Sequence, residues 1–381
     1  MIDFNVPLVI GNELEFIKEA IGQKRLSGDG VFTKRCSRLM EERFQAKHVL
    51  LTTSGTSALD MAAILCDFQP GDEVILPSYT FSSTANSVIL GGAKPVFVDI
   101  RPDTMNIDEA KIEAAITPRT KAIIVMHYGG VACEMDTIMD IARRHHLRVI
   151  EDAAQSVMAK YKGQYLGTIG DFGCFSFHET KNYSMGEGGA LLVNRDGDYE
   201  RAEILREKGT NRSKFFRGEI DKYTWVDFGD SYLPSEINAA YLWGQLQKLN
   251  EVNADRLRSY AAYREAFAPL AQQGLLEIQA LPEGCENNAH LFYLKLQDLE
   301  ERTAFIRHMK DEGVMTVFHY VPLHSAPAGL RYGRFAGEDV YTTRESERLV
   351  RLPMYYGLTE ADLKQVATAV LSFFEGSRGG A

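Results

Sequence analysis

The sequence predicts an α/β protein with a large domain, residues 1–250, built on a mainly parallel central sheet, and a smaller α+β C-terminal domain, residues 251–381. Two observations carry this expectation. From about residue 48 to 195, short β-rich apolar runs alternate with helical segments, the order that yields a parallel sheet covered by helices. Several runs are apolar at successive positions, as strands buried on both faces must be. The length of 381 residues agrees, since roughly 150 residues make a domain.

Taken in order, strands are expected at Val49–Leu51, Glu73–Leu76, Pro95–Val98, Ala122–Met126, Arg148–Glu151, Cys174–Phe177 and Gly189–Val193. Helices are expected between them at about 56–66, 83–91, 108–116, 135–146 and 197–208. The fourth carries Ile138, Ile141, Ala142 and His145 at i, i+3, i+4, i+7 spacing. From Ser235 to about Leu270, apolar residues keep helical spacing, which reads as one long or kinked helix leaving the large domain. Beyond it, Ala289–Leu296 and Val314–Val317 read as strands and 300–311 and 360–375 as helices. The terminal Gly376-Ser377-Arg378-Gly379-Gly380-Ala381 is expected to fray.

Composition excludes several function classes. The formal charge of −10 opposes binding to nucleic acid or an anionic membrane surface. No stretch approaches the ~18 apolar residues a membrane helix needs, and the N-terminus lacks a basic segment followed by an apolar one. A cytoplasmic location is the expectation. Cys36, Cys66, Cys133, Cys174 and Cys285 form no close pair, so they read as reduced, mostly buried thiols. The phosphate-loop, dinucleotide-loop and nucleophile-elbow motifs are missing, and His178-Glu179 lacks the second His of a zinc helix, so no metal is expected.

Four features remain. Thr53-Ser54-Gly55-Thr56-Ser57-Ala58-Leu59 follows a buried strand, where small hydroxyl residues open a helix; it is either an ordinary N-cap or an anion cup made of free N–H groups. Asp152 ends a buried strand, as a helix cap or as an acid at the edge where ligands bind in open α/β sheets. Lys181 stands in a loop before the Gly-rich turn Gly186–Gly189, as a surface charge or as an amine whose pKa is lowered for Schiff-base chemistry. Tyr79–Ser83 brings aromatic faces to the same sheet edge, as core or as a ring platform. As a set they meet the needs of pyridoxal 5′-phosphate: an anion cup, a flat face, a carboxylate for the pyridine nitrogen and a lysine for the aldehyde.

At these residues the sequence resembles the sugar-nucleotide aminotransferases of the DegT/DnrJ/EryC1/StrS family, over nearly the whole chain. Its most specific pieces are S-G-T-S-A-L at 54–59, E-D-A-A-Q at 151–155, and S-F-H-x-T-K-N with G-E-G-G-A at 176–190. The resemblance implies a fold type I enzyme, a homodimer or higher homo-oligomer with sites formed between subunits. It implies that Lys181 carries the cofactor covalently, Asp152 pairs with the pyridine nitrogen, Gln155 lies near the ring hydroxyl and Phe81 stacks on the ring. Gly55, Thr56, Ser57 and Ser176 would hold the phosphate. His319-Tyr320-Val321-Pro322-Leu323-His324 matches the family's H-Y-x-P-L-H, which implies that His319, Tyr320 and His324 lie near the substrate. Arg212 and Lys214 are candidates for the substrate's phosphates, or else members of a solvated loop. Where the family often has G-x-N-x-R-M, this chain has Ser231 and Leu233 in place of Asn and Arg.

A narrower likeness runs through Glu207–Arg212 and Asp221–Asp227, to a branch serving enterobacterial common antigen synthesis. It implies L-glutamate as amino donor and dTDP-4-keto-6-deoxyglucose as acceptor. A dehydratase branch of the same fold replaces the lysine with His, and Lys181 argues against it. A non-catalytic regulator would need an attached DNA-binding segment, and neither end of the sequence shows a basic helix-turn-helix.

Overall fold

A computed structural model describes residues 1–378. Eight strands form the central sheet in the order His48–Thr52, Gly189–Val193, Phe172–Ser176, Arg148–Asp152, Thr120–Met126, Glu73–Pro77, Lys94–Val98, Arg334–Phe335. Seven run parallel and Gly189–Val193 runs against both its neighbours. Successive residues of the middle strands feed different cores. Val74, Leu76, Ile124 and Ile150 pack on one face, whereas Ile75, Val96, Ile123 and Val149 pack on the other. The continuous apolar runs follow from this two-sided burial.

The five connecting helices lie at Gly55–Leu65, Ser82–Leu90, Glu109–Ala115, Met135–His145 and Asp196–Arg206, each within about two residues of expectation. Glu13–Gly22 and Val31–Phe44 precede the sheet and pack on the later helix Glu236–Leu246. Buried Glu236 ties them together, accepting the Gly30, Phe32 and Thr33 N–H groups and the Thr33 hydroxyl.

Several elements differ from the sequence reading. The segment 235–270 is two helices, Glu236–Leu246 and Leu249–Gln272, because its apolar stripe serves two cores. Ala239, Ala240 and Leu242 face the N-terminal helices, whereas Tyr260, Tyr263 and Phe267 face the C-terminal sheet. That antiparallel sheet comprises Glu277–Ile278, Phe292–Lys295 and Leu349–Leu352, with helices Leu299–Asp311 and Glu360–Arg378 against it. Val314–Val317 is not a strand; Val314 bridges Ile2 and Val317 bridges Arg351, one residue at a time. Arg334–Phe335, unforeseen, adds to the large sheet beside Val96 and Phe97, and Arg334 grips both carboxylate oxygens of buried Glu73. Of the terminal segment expected to fray, 376–378 continue the last helix and 379–381 lie outside the described residues. The five cysteines are free thiols. No helix among the described residues is long and apolar enough to cross a membrane.

Candidate active site

The C-terminal ends of the parallel strands open into a cavity of about 580 Å³, into which both Asp152 and Lys181 project. Asp152 closes its strand and is 4% exposed. Its Oδ2 accepts the Thr84 hydroxyl at 2.7 Å and its Oδ1 the Ala154 N–H at 3.2 Å. Burial pushes its pKa up, while those two hydrogen bonds and Lys181 hold it down. Lys181 stands in the loop between Phe172–Ser176 and Gly189–Val193, its N–H bonded to the His178 carbonyl at 2.9 Å. Desolvation lowers its pKa to about 8, opposed by Asp152 and reinforced by Arg351.

At the floor, Ser54 caps the helix Gly55–Leu65 by accepting the Ser57 N–H at 3.0 Å. Gly55 and Thr56 head that helix and line the cavity with their direct neighbours, Gly55 packed on Ser176 and the Thr56 hydroxyl 2.7 Å from that of Ser83. The cup is close-packed from behind. A Cβ on Gly55 would lie 2.8 Å from the Ser176 Cβ, and one on Gly189 only 2.5 Å from the Ser54 carbonyl. Glycine at both positions lets a strand edge and a helix N-terminus approach around an anion-sized space. Phe81, 56% exposed, presents its ring at the opening, and Tyr320 stands 6.1 Å from it, centre to centre. Gln155 is pinned, its Oε1 accepting the Gly129 N–H at 2.7 Å and its Nε2 donating to the Tyr320 hydroxyl at 3.1 Å. His319 also lines the cavity, its Nδ1 3.0 Å from the Tyr128 hydroxyl.

Three expected site residues lie elsewhere. The Ser57 side chain does not line the cavity; its hydroxyl is 2.9 Å from those of Thr53 and Ser54 and completes the cap. His324 is held between Ser78, 2.7 Å from Nδ1, and Asp339, 3.2 Å from Nε2, and also lies outside the lining. Arg212 opens the short helix Arg212–Phe216 rather than standing in a loop. It borders a separate cavity with Arg25, Asp29 and Lys208, and Lys214 pairs with Glu200.

Other participants were missed by sequence reasoning. Thr84 sits one residue past the aromatic segment Tyr79–Ser83, and its acceptor is 68 residues away in sequence. His290 lines the cavity with Nδ1 2.9 Å from Asn182 Oδ1. Burial, with Lys181 and Arg256 nearby, holds its pKa well below the usual histidine value, so it is a neutral ring. Glu151, fully buried behind Asp152, accepts the N–H groups of Gly167, Ile169 and Gly170 and faces His127 Nε2 at 3.0 Å. The E-D pair therefore splits its work, with the first carboxylate holding a loop and the second reaching the cavity.

Anion cup, exposed aromatic face, buried carboxylate and poised amine thus surround one cavity, a set that fits pyridoxal 5′-phosphate. The sequence profile of the DegT/DnrJ/EryC1/StrS aminotransferase family matches residues 9–371. The chain belongs to this family. Among its relatives, GDP-perosamine synthase of Caulobacter vibrioides is 35% identical over 372 residues, 96% of each chain. Spore coat polysaccharide biosynthesis protein SpsC of Bacillus subtilis is 32% identical over 382 residues, 98% of this chain and 97% of the other. The crystal structure of aminotransferase TlmJ from Streptoalloteichus hindustanus superposes with a TM-score of 0.90 at 29% identity, covering 99% of this chain and all of that one. The protein is thus a sugar aminotransferase that depends on pyridoxal 5′-phosphate.

Proposed function

We propose that this sugar aminotransferase moves the amino group of L-glutamate to C4 of dTDP-4-keto-6-deoxy-D-glucose. The products are 2-oxoglutarate and dTDP-4-amino-4,6-dideoxy-D-galactose, an amino sugar for enterobacterial common antigen. That would make it a dTDP-4-amino-4,6-dideoxygalactose transaminase. The observation that carries the transfer chemistry is the sharing of one cavity by Asp152 and Lys181, with the lysine pKa lowered to about 8. The narrower likeness through Glu207–Arg212 and Asp221–Asp227 supports the choice of sugar.

The cofactor supplies an electron sink and a carrier for the amino group. In our reading Asp152 holds a proton on the pyridine nitrogen, and the N–H groups of Gly55 and Thr56 with the Ser176 hydroxyl hold the phosphate. Phe81 would stack on the ring and Gln155 would lie by its hydroxyl. Lys181, neutral for a sizeable fraction near pH 7.5, would take the proton from the donor Cα as general base and return it to the carbon on the far side of the amino nitrogen. In the second half-reaction it moves a proton in the opposite sense, onto sugar C4. His319 and Tyr320 border the sugar's side of the cavity.

Residues 1–250 hold the cofactor in this reading and 251–381 close the cavity, Arg334–Phe335 being the segment that returns to the large sheet. Trp225, Val226 and Phe228 are exposed on the segment that follows the helix Arg212–Phe216, apolar surface that supports a homodimer; a cytoplasmic location is part of the same proposal. Arg212 would then serve a site completed by a second copy. A second reading, amination of a GDP-linked sugar, is favoured by the name of the Caulobacter relative.

The test is an absorbance scan of the PLP-loaded protein with L-glutamate and then dTDP-4-keto-6-deoxyglucose, with NMR of the product. Loss and return of the cofactor band together with an axial C4 amine is the expected result. An equatorial amine, an amine at C3, or turnover only with the GDP-linked ketone would reject the proposed substrate.

A further inference from the structure

Arg351 occupies an unusual place. It lies on the strand Leu349–Leu352, whose other three residues are buried apolar side chains, and its own side chain reaches the wall of the Lys181 cavity. The guanidinium lies 4.7 Å from the Phe4 ring centre, and one Nη donates to the Phe318 carbonyl at 3.3 Å. Its Nε is shielded from solvent and has no hydrogen-bond partner. Among the described residues no carboxylate lies within ion-pair distance of it, and Asp152, the buried acid of the cavity, is taken by Thr84 and Ala154. The Nη end is open to solvent, but the shielded Nε–H is costly to leave unpaired and favours a ligand that completes it.

We propose that Arg351 binds a carboxylate of the amino donor, an assignment that rests on the transaminase reading above. A planar guanidinium matches a carboxylate or a phosphate equally well. Position decides between them. Arg351 and Lys181 line the same cavity, so a group on the guanidinium shares the space of the reacting amine. The α-carboxylate of an amino acid is bonded to the carbon that loses its proton, whereas the diphosphate of a nucleotide 4-ketosugar hangs across the ring from C4. Pairing has a chemical consequence too. A bound carboxylate cancels the positive field of Arg351 at Lys181 and makes the amine a stronger base once the donor has arrived.

The test compares wild-type, R351Q and R351K proteins loaded with PLP. Single-turnover loss of the cofactor band with L-glutamate reads one half-reaction, and its return from the pyridoxamine form with dTDP-4-keto-6-deoxyglucose reads the other. Calorimetric titration with glutarate, which has carboxylates but no amine, reads binding without chemistry. In R351Q the glutamate rate constant and the glutarate affinity should each fall about 10- to 100-fold, as expected for lost charge-assisted hydrogen bonds, with the ketosugar step changed less than about threefold. R351K should recover part of the loss, and it carries the test if R351Q does not fold. Unchanged glutamate and glutarate values would overturn the assignment, and so would a ketosugar step that falls as far as the glutamate step, which would give Arg351 to the phosphates. A wild-type protein that fails with glutamate while still converting another amino donor through Arg351-independent steps would also overturn it. Inertness towards every donor would sink the parent reading instead, taking this inference with it.

Discussion

The Thr84 hydroxyl donates to Asp152 at 2.7 Å from a neighbouring helix, so the acid of the cavity is held by a residue outside its own strand. The bond favours the ionised carboxylate against the burial that opposes it.

Removing this hydroxyl while keeping the shape, Thr84→Val, should raise the proton affinity of Asp152 and weaken the proposed pairing with the pyridine nitrogen. The dissociation constant of PLP should rise about tenfold, the worth of one hydrogen bond to a charged group. Fluorescence titration of the apo-protein measures it. Unaltered affinity would mean that Ala154 and Lys181 suffice.

Lys181 should be indispensable in turnover yet a burden to the empty protein. Lys181→Met should lower transamination by at least about 10³-fold, within the range of a lost general base and anchor. In the folded apo-protein the amine titrates near 8, against about 10.4 in an unfolded chain. Between these values the unfolded chain binds more protons, so stability rises with pH there, and below pH 8 the full penalty applies. Lys181→Met should therefore be more stable than wild-type apo-protein by on the order of 2 kcal/mol at pH 7, the gap closing towards pH 10. Urea melts at both pH values check the sign.

Gly189→Ala should damage the anion cup from behind. The added methyl has to displace the Ser54 backbone, at a cost of about 1–3 kcal/mol for overpacking. Weaker binding of both PLP and inorganic phosphate is expected, along with a lower melting temperature. A variant that melts lower but binds phosphate normally would separate the cup from the packing.

Glu151→Gln should act on the loop 167–170 rather than on chemistry. One carboxylate there receives three backbone N–H groups and faces His127, and an amide replaces half of that acceptor with a donor. A loss of about 3 kcal/mol is expected, the scale for breaking a buried charged network. Chemical denaturation is the readout, and turnover at 10 °C should stay near wild type.

The middle of this fold was legible because its strands are apolar on both faces and its helices start at small or acidic residues. The candidate cup, the acid and the lysine of the cavity were legible for a related reason, as each sits at or shortly after a strand end inside a local motif. Arg334–Phe335 was not, since two residues carry no period and their pairing is decided by a free sheet edge. The break after Leu246 was hidden too, because the same spacing serves two cores. Ser57 and His324 show the converse. Their residue types suited the site, but nearer hydroxyl and carboxylate partners claimed them. Thr84, His290 and Arg351 lie in segments whose meeting point exists only in three dimensions.

The clasp of Glu236 on the turn at Gly30–Thr33 sets an order of events during synthesis. Helices Glu13–Gly22 and Val31–Phe44 emerge from the ribosome ahead of the sheet, yet the helix that packs on them, Glu236–Leu246, is made about 200 residues later. At translation rates of about 5–20 residues per second, they must wait on the order of ten seconds or more with Phe32 and Cys36 lacking their partners Glu236 and Ala239. Closing so long a loop is slow, so premature termination anywhere before residue 246 should release a chain that chaperones hold or that aggregates.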